Sequence, residues 1–364
     1  MTRTASAALM PLAEARALLL GLARPVSPER VPLAEALGRI AATSIQAPRD
    51  RPTEPTSLRD GYAVDSSLVG GASPYAPVRL SQAPAWIETG HTLPAGTDAV
   101  LAPEGLEGRD AVAEVFFREG VRAPGEDFLK GDSLVAAGER IEPRHLLALA
   151  ACGVATIDIR RPRVALVATG PSEPDALTPF LAALAAREGA GVVTAQASDE
   201  AEAIAEKIRG VEADAVLLLG GTGLGRTDHS AAGLAGAGRL LVHGIALRPG
   251  ETAGIGEVEG RPVLLVPGRP EAAVAVFLAL GRPLVAALSG SAPPAPTPAV
   301  LTKKIASGIG LSEIVVGRRV ARGVEPLGGV DLPLRCLVHA DVAVLVPPEH
   351  EGYPEGTEVE VWDL

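Results

Sequence analysis

The chain has 364 residues, is 47% hydrophobic but only 3% aromatic, and carries a formal net charge of −11. Such a length exceeds one ordinary core and implies roughly two to four domains, built on aliphatic rather than aromatic packing. The charge excludes a general nucleic-acid binder, which needs a basic field. It leaves room for an anionic small ligand held by a few Arg residues and backbone N–H groups.

Cys152 and Cys336 are far apart and both in apolar contexts, so they are expected as buried thiols in a reducing compartment, and no zinc spacing exists. Residues 1–20 are interrupted by Pro11, Glu14 and Arg16, unlike the apolar core of a signal peptide. No stretch reaches the roughly 18 uninterrupted apolar residues of a membrane helix. The expectation is a cytoplasmic protein without membrane or nucleic-acid partners.

In chain order, residues 10–45 read as two helices. Leu12, Ala15, Leu18, Leu19 and Leu22 recur at helical spacing, and after Pro25 and Pro28 so do Leu33, Ala36, Leu37, Ile40 and Ala41. From Ala47 to Lys130, short runs such as 76–80 and 112–117 lie between Gly, Pro and Asp clusters, the pattern of a small all-β module. Three of its loops are polar: Ser57 to Ala63, Glu88 to His91, and Pro124 to Asp127. Each on its own also suits an ordinary turn. A helix over 142–152 follows.

At Arg161 the pattern becomes α/β. Strands are expected at 164–167, 192–196, 215–219, 240–245 and 262–266, with helices at 177–187, 200–208 and 270–288, implying a mostly parallel sheet. The third of these strands organises the rest. Ala215 to Leu219 is a short apolar run that empties into Gly220-Gly221-Thr222-Gly223-Leu224-Gly225, with Asp228 close behind. Such a strand places bare N–H groups at the carboxyl edge of the sheet, where a phosphate can approach closely and Thr222 can add a hydroxyl. The same residues also suit a tight strand-to-helix turn with no ligand. His229, next to Asp228, reads as a helix N-terminal position. A Pro-rich hinge, 292–298, precedes short strands at 313–316, 342–345 and 358–361.

The order of these units and their loops resembles the molybdopterin molybdenumtransferases, the MoeA and gephyrin E-domain family, over about Pro11 to Leu364. The resemblance rests on Asp60-Gly61-Tyr62-Ala63-Val64 with Arg59 before it, and on Thr89-Gly90 followed by Leu93-Pro94 and Asp98-Ala99-Val100. It continues in Gly125-Glu126-Asp127 with Gly131-Asp132, Arg161-Pro162-Arg163-Val164 leading to Thr169-Gly170, Pro249-Gly250, and Pro267-Gly268-Arg269-Pro270. The chain departs from the family at polar positions. Pro171-Ser172 stand where Asp-Glu is expected, with Glu173 one place late, and Leu177 replaces an Asn after Asp175. Arg226 takes the place of an acid while Asp228 keeps the second. Arg248-Pro-Gly-Glu251 replaces Lys-Pro-Gly-Lys, and Arg269 replaces an Asn. The glycine loop also resembles that of the single-domain molybdopterin adenylyltransferases.

The resemblance implies four parts: a helical linker and dimerisation domain (1–46 with 136–159), a small β module (47–135), an α/β molybdopterin-binding domain (160–291) and a C-terminal β module (298–364). It implies insertion of molybdate into adenylylated molybdopterin with release of AMP, supported by Mg²⁺. Asp60, Thr89, Asp127, Asp228 and Arg248 are the implied catalytic residues, with Asp60 and Asp127 facing the α/β domain of a dimer partner. Thr169, Gly170, Asp175, Gly220, Gly221, Thr222, Gly223, Pro249, Gly250, Gly268 and Arg269 are the implied ligand-binding residues, and Asp175 and Asp228 the metal carboxylates. For each Asp, turn or N-cap duty is an equal alternative. Arg248, Arg226 and Arg269 are expected around one pocket, where Glu251 would repel an oxyanion. Implied partners are the pterin substrate, a second copy of the chain, and transient contact with a molybdopterin adenylyltransferase or molybdoenzymes. Two other functions fit the departures: a paralogue that holds molybdopterin or the finished cofactor without transfer, and an adenylyltransferase-like enzyme.

Overall fold

The computed structural model describes residues 9–170, 175–223, 225 and 228–364. Its centre is a six-stranded sheet in the order Gly191–Ala197, Arg163–Thr169, Ala215–Leu219, Arg261–Val266, Gly254–Val258, Arg239–His243. The first four strands are mutually parallel and the last two join antiparallel. Ala215–Leu219 is buried along its whole length, as a strand covered on both faces must be. Leu217, Leu219, Leu264 and Val266 pack in one core with the helices Leu12–Leu22, Leu177–Arg187 and the long helical run from Pro270. Val216, Leu218, Val263 and Leu265 face the opposite way, against Ala201–Gly210 and Ser230–Ala237. The expected α/β elements therefore form close to their expected bounds. The strand Gly254–Val258, where Gly alternates with Ile and Glu, carried no apolar run to announce it.

Three expectations need correction. The second N-terminal helix does not form: Leu33–Glu35 is a single 3₁₀ turn between the strands Glu29–Pro32 and Ile40–Ala41. Pro32 precedes it and Gly38, at φ 75°, turns the chain out of helical geometry. Those two strands flank Thr156–Arg160 in a sheet of three, so this unit is sheet-rich with the one helix Pro143–Ala151. Moreover, the helix Leu12–Leu22 packs in the α/β core, whereas Val31, Ala36 and Ala41 pack with Leu134, Ile141 and Ile157. Second, 112–117 is loop rather than strand. The Phe116 N–H is held by Glu119, Arg118 adopts φ 63°, and Phe116 and Phe117 are exposed.

Third, the strands after the expected hinge keep a core of their own around Val315, Val324, Val344 and Val361, yet sheet pairing joins them to the α/β part. After Arg239–His243 the chain turns at Gly244 (φ 106°) into Ile245–Arg248, which leaves the first sheet and pairs with Met10–Pro11 on one side and Ser312–Val320 on the other. A seven-stranded sheet results, continuing through Val342–Val346 and Glu358–Asp363 to Thr297–Val300, which begins inside the expected hinge. Ile314, Val316 and Ala343 share the α/β core.

The helical run Pro270–Ser289 is long and apolar enough to cross a membrane, yet nearly all of it is buried among the strands just named. Its one internal cation confirms its role as a core helix. Arg282 is 6% exposed and meets Glu188, 9% exposed, at 2.8 Å, while its other nitrogen donates to the Asp363 carbonyl at 2.8 Å. Glu188 also meets Arg140 at 3.4 Å, so one carboxylate joins three segments. Removing it leaves a buried guanidinium unpaired. Glu188→Ala is expected to cost about 3 kcal/mol of stability in urea unfolding, and a loss below about 1 kcal/mol would contradict this picture.

Candidate functional site

Thr169, Leu219 and Val266 end three neighbouring parallel strands, so the loops after them open at one edge of the sheet. That edge is where open α/β sheets take ligands. Here a cleft of about 530 Å³ is lined by Gly221, Thr222, Gly223, Asp228, Pro249 to Thr252, Pro267 to Arg269, Ala272, Val330 and Asp331. Three of the sequence motifs thus meet in one place. Val330 and Asp331 come from the C-terminal sheet, which no sequence signal joined to the site.

The glycine loop has few side chains of its own, and its shape is imposed from behind. Thr169 Oγ1 donates to the Leu219 carbonyl at 3.1 Å, and Ser230 Oγ to the Gly220 carbonyl at 2.7 Å. The Ser230 N–H donates to the Gly221 carbonyl at 3.0 Å. His243 Nε2 lies 2.9 Å from the Thr222 carbonyl. In a planar trans peptide the N–H of one residue points opposite to the preceding carbonyl. With the carbonyls of 220, 221 and 222 all held on the protein side, the N–H groups of Gly221, Thr222 and Gly223 aim the other way, into the cleft they line. No described residue accepts from any of the three. Gly220 and Gly221 adopt φ 87° and 58°, and a Cβ on Gly221 would stand 2.8 Å from Ser230 Oγ. A side chain fits neither the backbone nor the space.

Other expected residues fall in different places. Thr169 and Gly170 do not line the cleft: Thr169 supports the loop through Leu219, and Gly170, at φ 76°, bonds to Ala197 and Gln196. Asp175 caps the helix Leu177–Arg187, its Oδ1 accepting from the N–H groups of Leu177 and Thr178 at 3.2 and 3.0 Å. It too is absent from the cleft wall. Asp228 does line the cleft, with Oδ2 accepting the Gly225 N–H at 2.6 Å. Among the described residues no three His, Cys, Asp or Glu side chains form a metal cluster. His229 precedes the helix Ser230–Ala237, with Nδ1 at 2.5 Å from the Asp199 carbonyl. Pro171, Ser172, Glu173 and Arg226 lie outside the described residues.

The expected gathering of arginines does not occur as drawn. Arg269 reaches the cleft but is neutralised there, at 2.8 Å from Glu271 and 2.9 Å from Asp331. Arg248 instead lines a neighbouring cavity of about 360 Å³ together with Lys303, Lys304 and Glu313, reached past the shared Val330. Among the described residues Arg248 makes no salt bridge, while Lys303 is paired with Glu325. The two lysines were missed because nothing in their sequence context ties them to the α/β loops. Glu251 lines the main cleft rather than Arg248's cavity, and its Oε2 accepts the Gly250 N–H at 3.0 Å. Gly250, at φ 129°, has no room for a Cβ, which would meet Val276 at 2.8 Å.

A second polar cluster sits on the β module. Asp60 Oδ1 accepts both the N–H and the hydroxyl of Thr89, at 2.8 and 3.0 Å. Asp127 meets Arg122 at 3.0 Å. None of Asp60, Thr89 and Asp127 lines the cleft of its own chain.

Residues 10–153 match the family model for the MoeA N-terminal region (domain I and II), and residues 166–287 match that for a probable molybdopterin binding domain. The chain belongs to the MoeA family. It is 29% identical to molybdopterin molybdenumtransferase 2 of Mycobacterium tuberculosis, covering 94% of this chain and 96% of that one. It is also 29% identical to the molybdopterin molybdenumtransferase of Haemophilus influenzae over 78% of each chain. A crystal structure of a molybdopterin biosynthesis MoeA protein from Pyrococcus horikoshii matches with a TM-score of 0.78 at 28% identity, covering 97% of this chain and 98% of that one. Within this MoeA framework the mixed α/β sheets and the cleft belong to one multidomain fold.

The Asp60 cluster gives a pH prediction. The Thr89 backbone N–H and then its hydroxyl hold the Asp60 carboxyl below the usual carboxylate range against a smaller desolvation effect, with His91 adding the least. A carboxyl lowered on folding contributes stability above its unfolded pKa, and that contribution is lost as pH falls through the folded value. Thr89→Val keeps the larger, backbone donor and removes the hydroxyl. It is expected to raise the Asp60 pKa part-way towards the ordinary value, followed by carboxyl chemical shift against pH; no change would contradict the assigned pair.

Proposed function

We propose that this chain is a molybdopterin molybdenumtransferase of the MoeA family, which inserts molybdate into adenylylated molybdopterin and releases AMP. The observation that carries the reading is the set of three consecutive N–H groups, Gly221 to Gly223, aimed into a cleft of ligand size. Such a concavity favours phosphate oxygens, because each N–H adds a partial positive charge at short range and no Cβ stands in the way. Pyrophosphate between pterin and nucleotide is a ligand of this kind. The volume of the cleft, about 530 Å³, falls in the range of small-molecule sites.

In the adjoining cavity, where Lys303 is already paired with Glu325, Arg248 and Lys304 set two cations without a salt bridge among the described residues against the one carboxylate of Glu313. That balance supports an oxyanion seat beside the pyrophosphate, and we assign molybdate to it. Glu251 lines the main cleft rather than this cavity, with one oxygen on the Gly250 N–H, so its charge stands by the pyrophosphate and not by the molybdate seat. Arg269 is assigned no direct ligand role, because its charge is already met by Glu271 and Asp331. Thr169 acts through the loop it braces.

Mg²⁺ prefers one or two carboxylates completed by water and phosphate oxygens. Asp228 fits: it is a hard oxygen donor on the cleft wall, with one oxygen held by the Gly225 N–H and the other bonded to none of the described residues. A bound ion would neutralise charge on the pyrophosphate. Asp175, committed to its helix, is the weaker candidate. Asp60, Thr89 and Asp127 are exposed and outside the cleft of their own chain, which favours their completing a partner's cleft in a homodimer. The pterin is then held between two chains, in the cytoplasm.

Purified protein incubated with adenylylated molybdopterin, molybdate and Mg²⁺ is expected to release AMP in a molybdate-dependent manner. Tight binding without AMP release would contradict the proposal in favour of a carrier. Formation of the adenylylated species from ATP would contradict it in favour of an adenylyltransferase.

A further inference from the structure

We infer that His243 is a positioning residue for the phosphate-binding loop, acting through Thr222 without touching the ligand; the inference rests on the reading that this loop binds phosphate. The loop needs such help. With glycine at 220, 221, 223 and 225, it has almost no side chains to fix the orientation of its peptide planes, and glycine backbones wander widely when unsupported.

The support for the third peptide plane comes from outside the parallel βα units. His243 ends the strand Arg239–His243, and Thr252 leads into its antiparallel neighbour Gly254–Val258, with His243 opposite Gly254. From this hairpin His243 takes the Thr222 carbonyl at 2.9 Å, and Thr252 takes the Thr222 hydroxyl at 2.9 Å. Thr222, 3% exposed, is therefore gripped at its carbonyl and at its hydroxyl. The hairpin itself is stiff: the Gly244 N–H bonds to the Ala253 carbonyl at 2.9 Å, and a Cβ on Gly254 would press on the Val242 carbonyl at 2.8 Å.

A carbonyl oxygen only accepts, so the proton in this contact sits on Nε2 of His243. Its donation fixes the plane between Thr222 and Gly223, and with it the direction of the Gly223 N–H. It also polarises that peptide, strengthening the N–H as a donor to an anion on the other side. Ser230 does the same for the two preceding planes. His243 is not part of the cleft wall, and its imidazole acts only through this peptide.

The test compares wild type, His243→Gln, His243→Asn and His243→Leu for binding of inorganic pyrophosphate by titration calorimetry, with the thermal midpoint measured alongside. Gln carries an amide N–H near the Nε2 position and Asn near Nδ1. The Gln variant is expected to bind within about twofold of wild type, and the Asn and Leu variants about tenfold more weakly. A ¹⁵N-histidine spectrum of wild type is expected to show the Nε2–H tautomer. Equal affinity in all four proteins, failure of Gln to restore binding, or an Nδ1–H tautomer would overturn the inference while leaving the phosphate reading in place. No pyrophosphate binding by wild type would overturn both.

Discussion

Planarity of the peptide group is what turns a glycine loop into a site. The loop after Ala215–Leu219 has no charged side chain aimed at a ligand from its first four residues, yet it presents three donors in a row. It does so because their partner carbonyls are held from behind by Ser230 and His243, one plane after another. Glycine is required twice over: for the left-handed backbone at 220 and 221, and for the absence of a Cβ against Ser230. Everything around the loop, from Thr169 to the hairpin carrying His243 and Thr252, serves to keep that ribbon of amides in one orientation.

The two larger sheets, which share a core, both contribute to this region. One sheet supplies the glycine loop and the Pro267-Gly268-Arg269 loop at its carboxyl edge. The strand Ile245–Arg248 crosses to the second sheet and carries Arg248 to its end, beside Lys303 and Lys304. The glycine-loop N–H groups and the cations of the second cavity thus come from different sheets but lie on either side of Val330. The buried Arg282–Glu188 pair and the bond from Arg282 to the Asp363 carbonyl fix the two sheets against one another. The ion pair between Arg269 and Asp331 ties them again at the mouth of the cleft.

Much of this was legible from residues alone. The apolar runs of the parallel strands, the helix over 177–187 and the loop at their edge follow from periodicity and glycine placement. The family resemblance, carried by loops such as Asp60 to Val64 and Thr169-Gly170, gave the order of the parts. What was illegible has physical reasons. Leu33, Ala36, Ile40 and Ala41 keep helical spacing, but Pro32 and Gly38 confine the helix to one turn. Gly254–Val258 lacks an apolar run because its glycines let neighbouring backbones approach, as Gly256 does with the Arg239 carbonyl. Arg269, read as a ligand residue, is paired with Glu271 beside it and with Asp331, which is distant in sequence. Asp175 proved to be a helix cap. His243 had no neighbour in sequence to mark it, because its only partner in the site is a backbone oxygen 21 residues away.

The central claim is that the Gly221, Thr222 and Gly223 N–H groups, rather than the nearby arginines, receive the phosphate. It is tested most directly by amide chemical shifts of ¹⁵N-labelled protein titrated with inorganic pyrophosphate. The account predicts that these three amide protons move downfield together, with one common affinity and further than any other resonance. Binding that leaves them unmoved while shifting the side-chain resonances of Arg248 or Arg269 would contradict it.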